Sequence, residues 1–201
     1  MTTKSALARV RLKPEERRAQ LIDIGLRLLT TRPIHEMSID EVAAEAGISR
    51  GLLFHYFPTK RDYYVAVVRA GNRRLLLHAA DPEGGTHAER VRRIVDGFVS
   101  FVQRRKDNYV AVVRAAAGGD ELVLKVFEEN RCILTDRVLR AAGVPAPTSL
   151  HRLVARGWLA MAEEMAISST DEVIAKDDLV DLLVSGLEQA MGSNGAPLAG
   201  S

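Results

Sequence analysis

Apolar residues recur along most of the chain at the three- and four-residue spacing that places them on one face of a helix. The first stripe runs from Leu21 to Leu29, in a segment that begins near Pro14 and ends before Pro33. Further stripes follow as far as residue 191, separated by short clusters rich in breaker residues. The sequence has no convincing run of alternating β-branched residues and no Asn-Gly hairpin signal. The pattern predicts an all-α protein with about nine helices.

The second and third predicted helices are short and are joined by a tight turn. Ser38 and Glu41 form the pattern of a capping box, and Gly47 suits the left-handed conformation that ends a helix. Ser49 can cap the next helix only two residues later, while Ala43 is small enough for the two helices to approach closely. This arrangement predicts a helix-turn-helix. The alternative is an ordinary helical hairpin with a polar outer face.

The outer face of the third predicted helix carries side chains suited to DNA. Arg50 can pair with guanine or phosphate, Leu52 can pack on a thymine methyl group, and Gly51 lets the helix approach the groove floor. His55 and Tyr56 add side-chain donors next to them. We therefore predict that this surface binds duplex DNA.

Charge is small overall but unevenly distributed. The net charge is +2, and residues 1–64 hold eleven Lys and Arg against eight Asp and Glu. Four basic residues lie before the first acidic residue of the chain: Lys4, Arg9, Arg11 and Lys13. They predict a flexible basic arm over residues 1–13 that touches phosphates, with a plain solvated tail as the alternative.

The stretch from Ser38 to Lys60, SIDEVAAEAGISRGLLFHYFPTK, resembles the DNA-binding signature of the tetracycline-repressor (TetR) family. Residues 19–23 are similar to that family's first helix, and the close match covers residues 14–65. The resemblance implies a sequence-specific transcriptional regulator, which we expect to be a repressor. Phe54 stands where the family often has Tyr and Tyr56 where it often has His, so the operator sequence cannot be borrowed from a relative.

The resemblance also assigns roles to individual residues. The positions expected to face phosphates are Ser38, Ser49, Tyr56 and Lys60. The positions expected on or beside the base-reading surface are Arg50, Gly51, Leu52 and His55. Because one short helix reads only a few base pairs, we expect a homodimer on an inverted-repeat operator in double-stranded DNA.

We expect the chain to divide into four segments. They are a flexible basic arm (1–13), a helix-turn-helix domain (14–58), a helical regulatory and dimerisation domain (59–191) and a disordered tail (192–201). The third segment resembles the family in layout only, since these domains diverge freely. It should hold both the dimer interface and a site for an unknown small-molecule effector.

The last two predicted helices interleave small residues with Leu, which suits packing across a two-fold axis, with plain intrachain core as the alternative. The predicted interface residues are Leu153, Gly157, Leu179, Leu183, Gly186 and Leu187. Large apolar side chains predict a pocket for a mostly apolar effector, again with plain core as the alternative. The candidate lining residues are Phe98, Phe101, Tyr109, Val113, Phe127, Trp158, Met161 and Met165.

Sequence patterns of catalysis are missing. The five histidines share no metal-ligand spacing, and no nucleophile motif or glycine-rich phosphate loop occurs. Glu163 and Glu164 are adjacent, so on a helix they point about 100° apart, and we interpret them as a solvated face. We predict no enzymatic activity, no metal and no cofactor.

The expected location is the cytoplasm. No stretch reaches the ~18 apolar residues of a membrane span, and the single Cys132 gives no support for secretion. The competing hypothesis is a helical dimer whose amino-terminal unit binds protein. Salt-dependent binding of duplex DNA separates the two hypotheses, because only the first requires it.

Overall fold

The computed structural model describes residues 12–28, 36–81, 83–118 and 121–192, which form nine α-helices and no strand. The helices are α1 (Pro14–Leu28), α2 (Ile39–Glu45), α3 (Arg50–Tyr56), α4 (Lys60–His78), α5 (His87–Arg104), α6 (Lys106–Ala117), α7 (Glu121–Ala141), α8 (Ser149–Ser168) and α9 (Lys176–Gly192). The predicted all-α class is confirmed.

The predicted arm and tail lie outside the described residues, except for Leu12, Lys13 and Gly192. Gly192 is the last residue of α9. Among the helices of the described ranges, none is long and apolar enough to cross a membrane.

The amino-terminal core lies among α1, α2, α3 and the first half of α4. Val42 and Leu53 are fully buried in it, and Ala43 is buried beside them. Gly47 adopts a φ of 65°, the left-handed conformation predicted for the turn. The core also contains Tyr63, so it extends past the expected domain boundary at residue 58 into α4.

The crossing of α1 and α4 depends on a buried tyrosine beside a glycine. The Tyr63 hydroxyl donates a hydrogen bond of 2.9 Å to the carbonyl oxygen of Leu21. A Cβ on Gly25 would lie 2.5 Å from the Tyr63 hydroxyl oxygen and 2.6 Å from Val67 Cγ2, so the crossing needs a residue without a side chain. Burial raises the pKa of Tyr63, which keeps its hydroxyl protonated as the donor.

The larger core lies among the end of α4 and helices α5, α7, α8 and α9. Leu75 and Ala79 bring the end of α4 into this core. Trp158 is buried in α8, and its indole Nε1 donates to the Leu183 carbonyl oxygen of α9 at 2.9 Å. Thus α4 contributes side chains to both cores and joins the helix-turn-helix to the rest of the molecule.

Gly97 of α5 lies against the last turn of α4. A Cβ there would come within 2.0 Å of the His78 carbonyl oxygen, which is backbone and cannot turn aside. We therefore expect Gly97→Ala to lower the free energy of unfolding by about 1–3 kcal/mol or more, as overpacked sites do. Urea unfolding at fixed protein concentration, followed by Trp158 fluorescence, measures this change.

Gly71→Ala in α4 is the matched control. A Cβ at position 71 would lie 3.8 Å from Leu26 Cδ2, an ordinary van der Waals distance, and alanine favours helix by roughly 0.5–1 kcal/mol over glycine. We expect its stability to be unchanged or raised. An equal loss in both variants would contradict a steric limit specific to the α4–α5 contact.

Candidate DNA-binding surface and ligand cavity

The helix-turn-helix is held by its buried face and by its turn. The amide of Ile48 donates to the Ala43 carbonyl oxygen at 2.9 Å, which closes the turn after α2. With Val42 and Leu53 fully buried between the helices, the outer face of α3 has a fixed position relative to α2.

Two serines cap the helices of this element. Ser38 Oγ accepts from the Asp40 amide and Ser49 Oγ accepts from the Leu52 amide, each at 3.2 Å. A hydroxyl that accepts one hydrogen bond still has its own O–H to donate. Both predicted phosphate-facing serines are exposed and can donate in that way.

The predicted base-reading residues lie at the surface of α3. Gly51 and His55 are exposed, and Leu52 is 40% exposed despite being apolar. A Cβ at Gly51 would have only Ser49 Oγ within 4 Å, at 3.9 Å, so packing inside the protein does not require a glycine there. Without a side chain, Gly51 leaves room for another molecule to approach the helix backbone. Tyr56 is half-buried and makes an edge contact with the His55 ring at 5.4 Å.

Arg50 has a partner that the sequence did not reveal. Its Nη1 lies 3.2 and 3.0 Å from the two carboxylate oxygens of Asp40, across the turn from α2. Its Cζ lies 5.4 Å from the centre of the Phe54 ring. Both members of the ion pair are more than 60% exposed, so the pair contributes little to the stability of the fold. Arg50 can therefore leave Asp40 for another anion at a small cost in free energy. The ten-residue separation of an acid and a base across a helix-turn-helix was the only available signal.

Lys60 begins α4 beside a fixed aromatic ring. Its Nζ lies 5.0 Å from the centre of the Tyr64 ring, and the Tyr64 hydroxyl donates to the Met37 carbonyl oxygen. Tyr64 therefore ties the start of α4 to the residue before the α2 cap. Lys60 itself is exposed.

A cavity of about 60 Å³ lies among α1, α4, α5, α6 and α7. Its lining residues are Leu26, Val68, Gly71, Asn72, Arg74, Phe101, Arg105, Asn108, Tyr109, Val112, Phe127 and Asn130. Three predicted pocket residues are among them: Phe101, Tyr109 and Phe127. Sequence analysis missed the polar part of the wall, because helical spacing marks apolar stripes and not buried asparagines.

The other five predicted pocket residues do not line this cavity. Phe98 and Trp158 belong to the larger core, and Met165 packs against it half-buried. Val113 packs beside a smaller cluster around Val123, while Met161 is 44% exposed on α8. The structure therefore places none of these five at this cavity, because an apolar stripe has the same spacing in a core as in a pocket wall.

The interpretation of Glu163 as part of a solvated face is also wrong. Glu163 is only 8% exposed, whereas the adjacent Glu164 is exposed and accepts from Ser168. The Tyr109 hydroxyl donates to Glu163 Oε1 at 2.7 Å, and Arg131 Nη1 lies 3.8 Å from Oε2. Burial raises the pKa of Glu163, and burial together with the nearby Glu163 charge raises the pKa of Tyr109. Tyr109, a residue of the cavity wall, is thus hydrogen-bonded to Glu163 of α8.

The predicted interface residues separate into two groups. Leu179, Leu183 and Leu187 are at most 1% exposed within the single chain, so they form intrachain core and cannot contact a partner. Their assignment to the dimer seam is wrong for that reason. Leu153 is 69% exposed and Gly157 is exposed, while Gly186 is half-exposed.

Three further exposed apolar residues on these two helices were not predicted to lie at the interface: Leu150, Met161 and Leu182. With Leu153 they give the outer face of α8 and α9 an apolar surface. On a helix two residues one position apart point in different directions, so Leu182 faces outward while Leu183 faces the core.

Comparisons with known proteins agree with this arrangement. The profile of the "Bacterial regulatory proteins, tetR family" matches residues 21–67, and that of the "Tetracyclin repressor-like, C-terminal domain" matches residues 87–188. The crystal structure of a tetR-family transcriptional regulator from Streptomyces coelicolor superposes with a TM-score of 0.81 at 30% identity, covering 92% of this chain and 84% of that one.

Two curated relatives are similar over most of their length. The HTH-type transcriptional regulator BetI of Vibrio parahaemolyticus is 31% identical over 167 residues, which are 78% of this chain and 82% of BetI. The HTH-type transcriptional activator FasR of Mycolicibacterium smegmatis is 25% identical over 182 residues, 85% of this chain and 81% of FasR. This chain belongs to the tetR family of bacterial regulatory proteins and is a DNA-binding transcriptional regulator.

Proposed function

We propose that this regulator is a cytoplasmic repressor that binds an inverted-repeat operator as a homodimer and is released by a small effector in the cavity. The observation that carries the proposal is the position of α4. Its first half belongs to the helix-turn-helix core, its middle lines the cavity, and its end lies in the larger core. One element that meets both sites supports a coupling between the two ligands.

Repression is the direction proposed because a dimer on a promoter blocks polymerase without any further contact. FasR is named an activator, so the direction needs its own test. Selection of bound duplexes from a random pool gives the operator, and a promoter carrying it drives a reporter. We expect the reporter to fall when the protein is supplied; a rise would contradict repression.

The DNA surface in this proposal consists of Arg50, Gly51, Leu52 and His55 against bases and Ser38, Ser49, Tyr56 and Lys60 against phosphates. The exposed ion pair between Arg50 and Asp40 supports this assignment, since it holds the guanidinium at the surface and gives it up at low cost. Guanine or phosphate then takes the place of the Asp40 carboxylate.

The dimer interface in this proposal is the outer face of α8 and α9. Leu150, Leu153, Met161 and Leu182 form its apolar part, and a Cβ on Gly157 would meet no atom within 4 Å. Apolar side chains on the faces of two neighbouring helices are expensive to leave in water. A second copy of the same face covers them by two-fold symmetry.

The release mechanism in this proposal has two routes from the cavity. An effector that displaces Val68 or Asn72 acts on α4 and hence on the tilt of the helix-turn-helix. An effector that displaces Tyr109 also acts on α8 through the hydrogen bond to Glu163. Either motion changes the separation of the two recognition helices in the dimer, so their fit to successive major grooves is lost.

The two kinds of DNA contact predict different failures. We expect Arg50→Ala to cost about 1–3 kcal/mol of operator binding and to relax the preference at one base position. We expect Lys60→Ala to weaken all sequences alike and to flatten the salt slope by about one unit. Affinities for the operator and its single-base variants, measured at several salt concentrations, check both.

Lys125→Ala is the matched control, because Lys125 is an exposed lysine on α7, outside the helix-turn-helix. Its affinity and salt slope should remain those of the wild type. Wild-type binding by both Arg50→Ala and Lys60→Ala would remove the assignment of the recognition surface.

The proposed dimer face predicts the effect of a charge at its most exposed leucine. Leu153→Asp places a carboxylate in the apolar seam, so we expect folded monomers that bind the operator weakly. Leu77→Asp is the control, since Leu77 is 73% exposed on α4. Sedimentation at micromolar concentration distinguishes them, and a Leu153→Asp protein that remains dimeric would place the interface elsewhere.

The coupling predicts that filling the cavity weakens DNA binding without any ligand. Val112→Trp adds an indole at the cavity wall, and we expect operator affinity to fall tenfold or more, ~1.4 kcal/mol, in a protein that still folds and dimerises. Val173→Trp adds the same group at a 78% exposed position and should leave binding unchanged. If folded, dimeric Val112→Trp protein binds the operator with wild-type affinity, the regulator does not sense an effector through this cavity.

A further inference from the structure

The cavity wall contains two asparagines with unused acceptors. Asn130 is 5% exposed, and its Oδ1 is buried without any hydrogen-bond partner in the structure. Asn108 Oδ1, on the first turn of α6, is also buried and unpartnered. Both residues line the cavity. An unpaired buried acceptor costs about 1–3 kcal/mol, so two on one wall point to a molecule that donates to them.

The same wall carries a positive charge without a carboxylate partner. Arg105 lines the cavity, and its Cζ lies 4.6 Å from the centre of the Phe101 ring. Among the described residues no carboxylate pairs with it, whereas Arg74 beside it pairs with Asp23 at 3.1 Å. Burial, and then the charges of Arg104 and Arg74, lower the pKa of Arg105. The site therefore favours an anion and repels a cation.

Apart from Asn72, Arg74 and the Tyr109 hydroxyl, the rest of the wall is apolar. Phe101 and Phe127 contribute aromatic rings, and Leu26, Val68 and Val112 contribute aliphatic surface. Since a water takes up ~10–15 Å³ of such space, a cavity of about 60 Å³ holds several waters. A ligand as large as an aromatic ring enters only by displacing part of the wall, which is the motion that the proposed release mechanism requires.

From these three features we infer that the effector is a compact hydroxy acid, whose carboxylate pairs with Arg105, whose hydroxyl donates to Asn130 or Asn108, and whose body lies against Phe101 and Phe127. This inference rests on the proposed sensing function and names the chemistry of that site. It replaces the mostly apolar effector expected from sequence, because a purely apolar molecule leaves both asparagine oxygens and the guanidinium unpaired.

A matched ligand series tests the chemical class by calorimetry on the full-length dimer without DNA. The hydroxy acids are 4-hydroxybenzoate and 4-hydroxycinnamate. Benzoate and cinnamate lack the hydroxyl, methyl 4-hydroxybenzoate lacks the charge, and 4-hydroxybenzylamine reverses it. We expect at least one hydroxy acid to bind, and each of its analogues to bind at least tenfold more weakly. Failure of both hydroxy acids at millimolar concentration, or tighter binding of the ester or amine, overturns the inference.

Two variants locate the bound groups. Asn130→Leu removes an unpaired acceptor while keeping similar volume, so the ligand-free protein should keep or gain thermal stability and the hydroxyl-dependent affinity should vanish. Arg105→Gln should abolish the preference of the acid over its methyl ester. Arg104→Gln is the control, because Arg104 precedes Arg105 but is exposed and does not line the cavity. Equal effects of Arg104→Gln and Arg105→Gln on that preference would also overturn the inference.

Failure of the inference differs from failure of the proposed function. If wild-type protein binds no selected duplex, the proposed operator binding fails whatever the ligands do. If it binds the operator and Val112→Trp weakens that binding, but no hydroxy acid binds, the sensing proposal stands and the hydroxy-acid class is wrong.

Discussion

The contact between α1 and α4 is the constraint on which the arrangement of the two halves depends. Tyr63 is buried there, bonded to the Leu21 carbonyl oxygen, and Gly25 leaves the space that its ring and Val67 occupy. This contact makes the start of α4 part of the helix-turn-helix core, although the same helix ends in the larger core at Leu75. The cavity lies along the middle of α4, so a ligand bound there would contact a helix that belongs to both cores.

Much of the fold follows from local sequence. Thr59 and Asp62 form reciprocal hydrogen bonds at the start of α4, and Gly47 has the left-handed conformation predicted for it. The end of α2 and the start of α4 follow from such local signals, whereas α6 begins without a side-chain cap. The burial of Tyr63 was harder to predict from sequence, because the apolar stripe of α4 also fits Tyr64. Only the space beside Gly25 determines which of the two rings is fully buried.

Features of the site that depend on residues close together in the sequence could be predicted, and features that depend on distant residues could not. The surface of α3 lies within one motif, so its exposed residues could be named, but the pairing of Arg50 with Asp40 depends on the angle between two helices. Core and interface share one spacing, which is why Leu183 was misassigned and its neighbour Leu182 missed. The buried Glu163 is stabilised by a tyrosine 54 residues away, and no pattern along one helix records that partner.

The separation of the two recognition helices in the free dimer tests the central claim most directly. Spin labels on His55→Cys, in a Cys132→Ser background, report that distance because both positions are exposed and a single cysteine per chain remains. If α4 couples the cavity to α3, adding Val112→Trp shifts the distance distribution between the labels. Identical distributions with and without the tryptophan, in folded dimers, would contradict the coupling through α4.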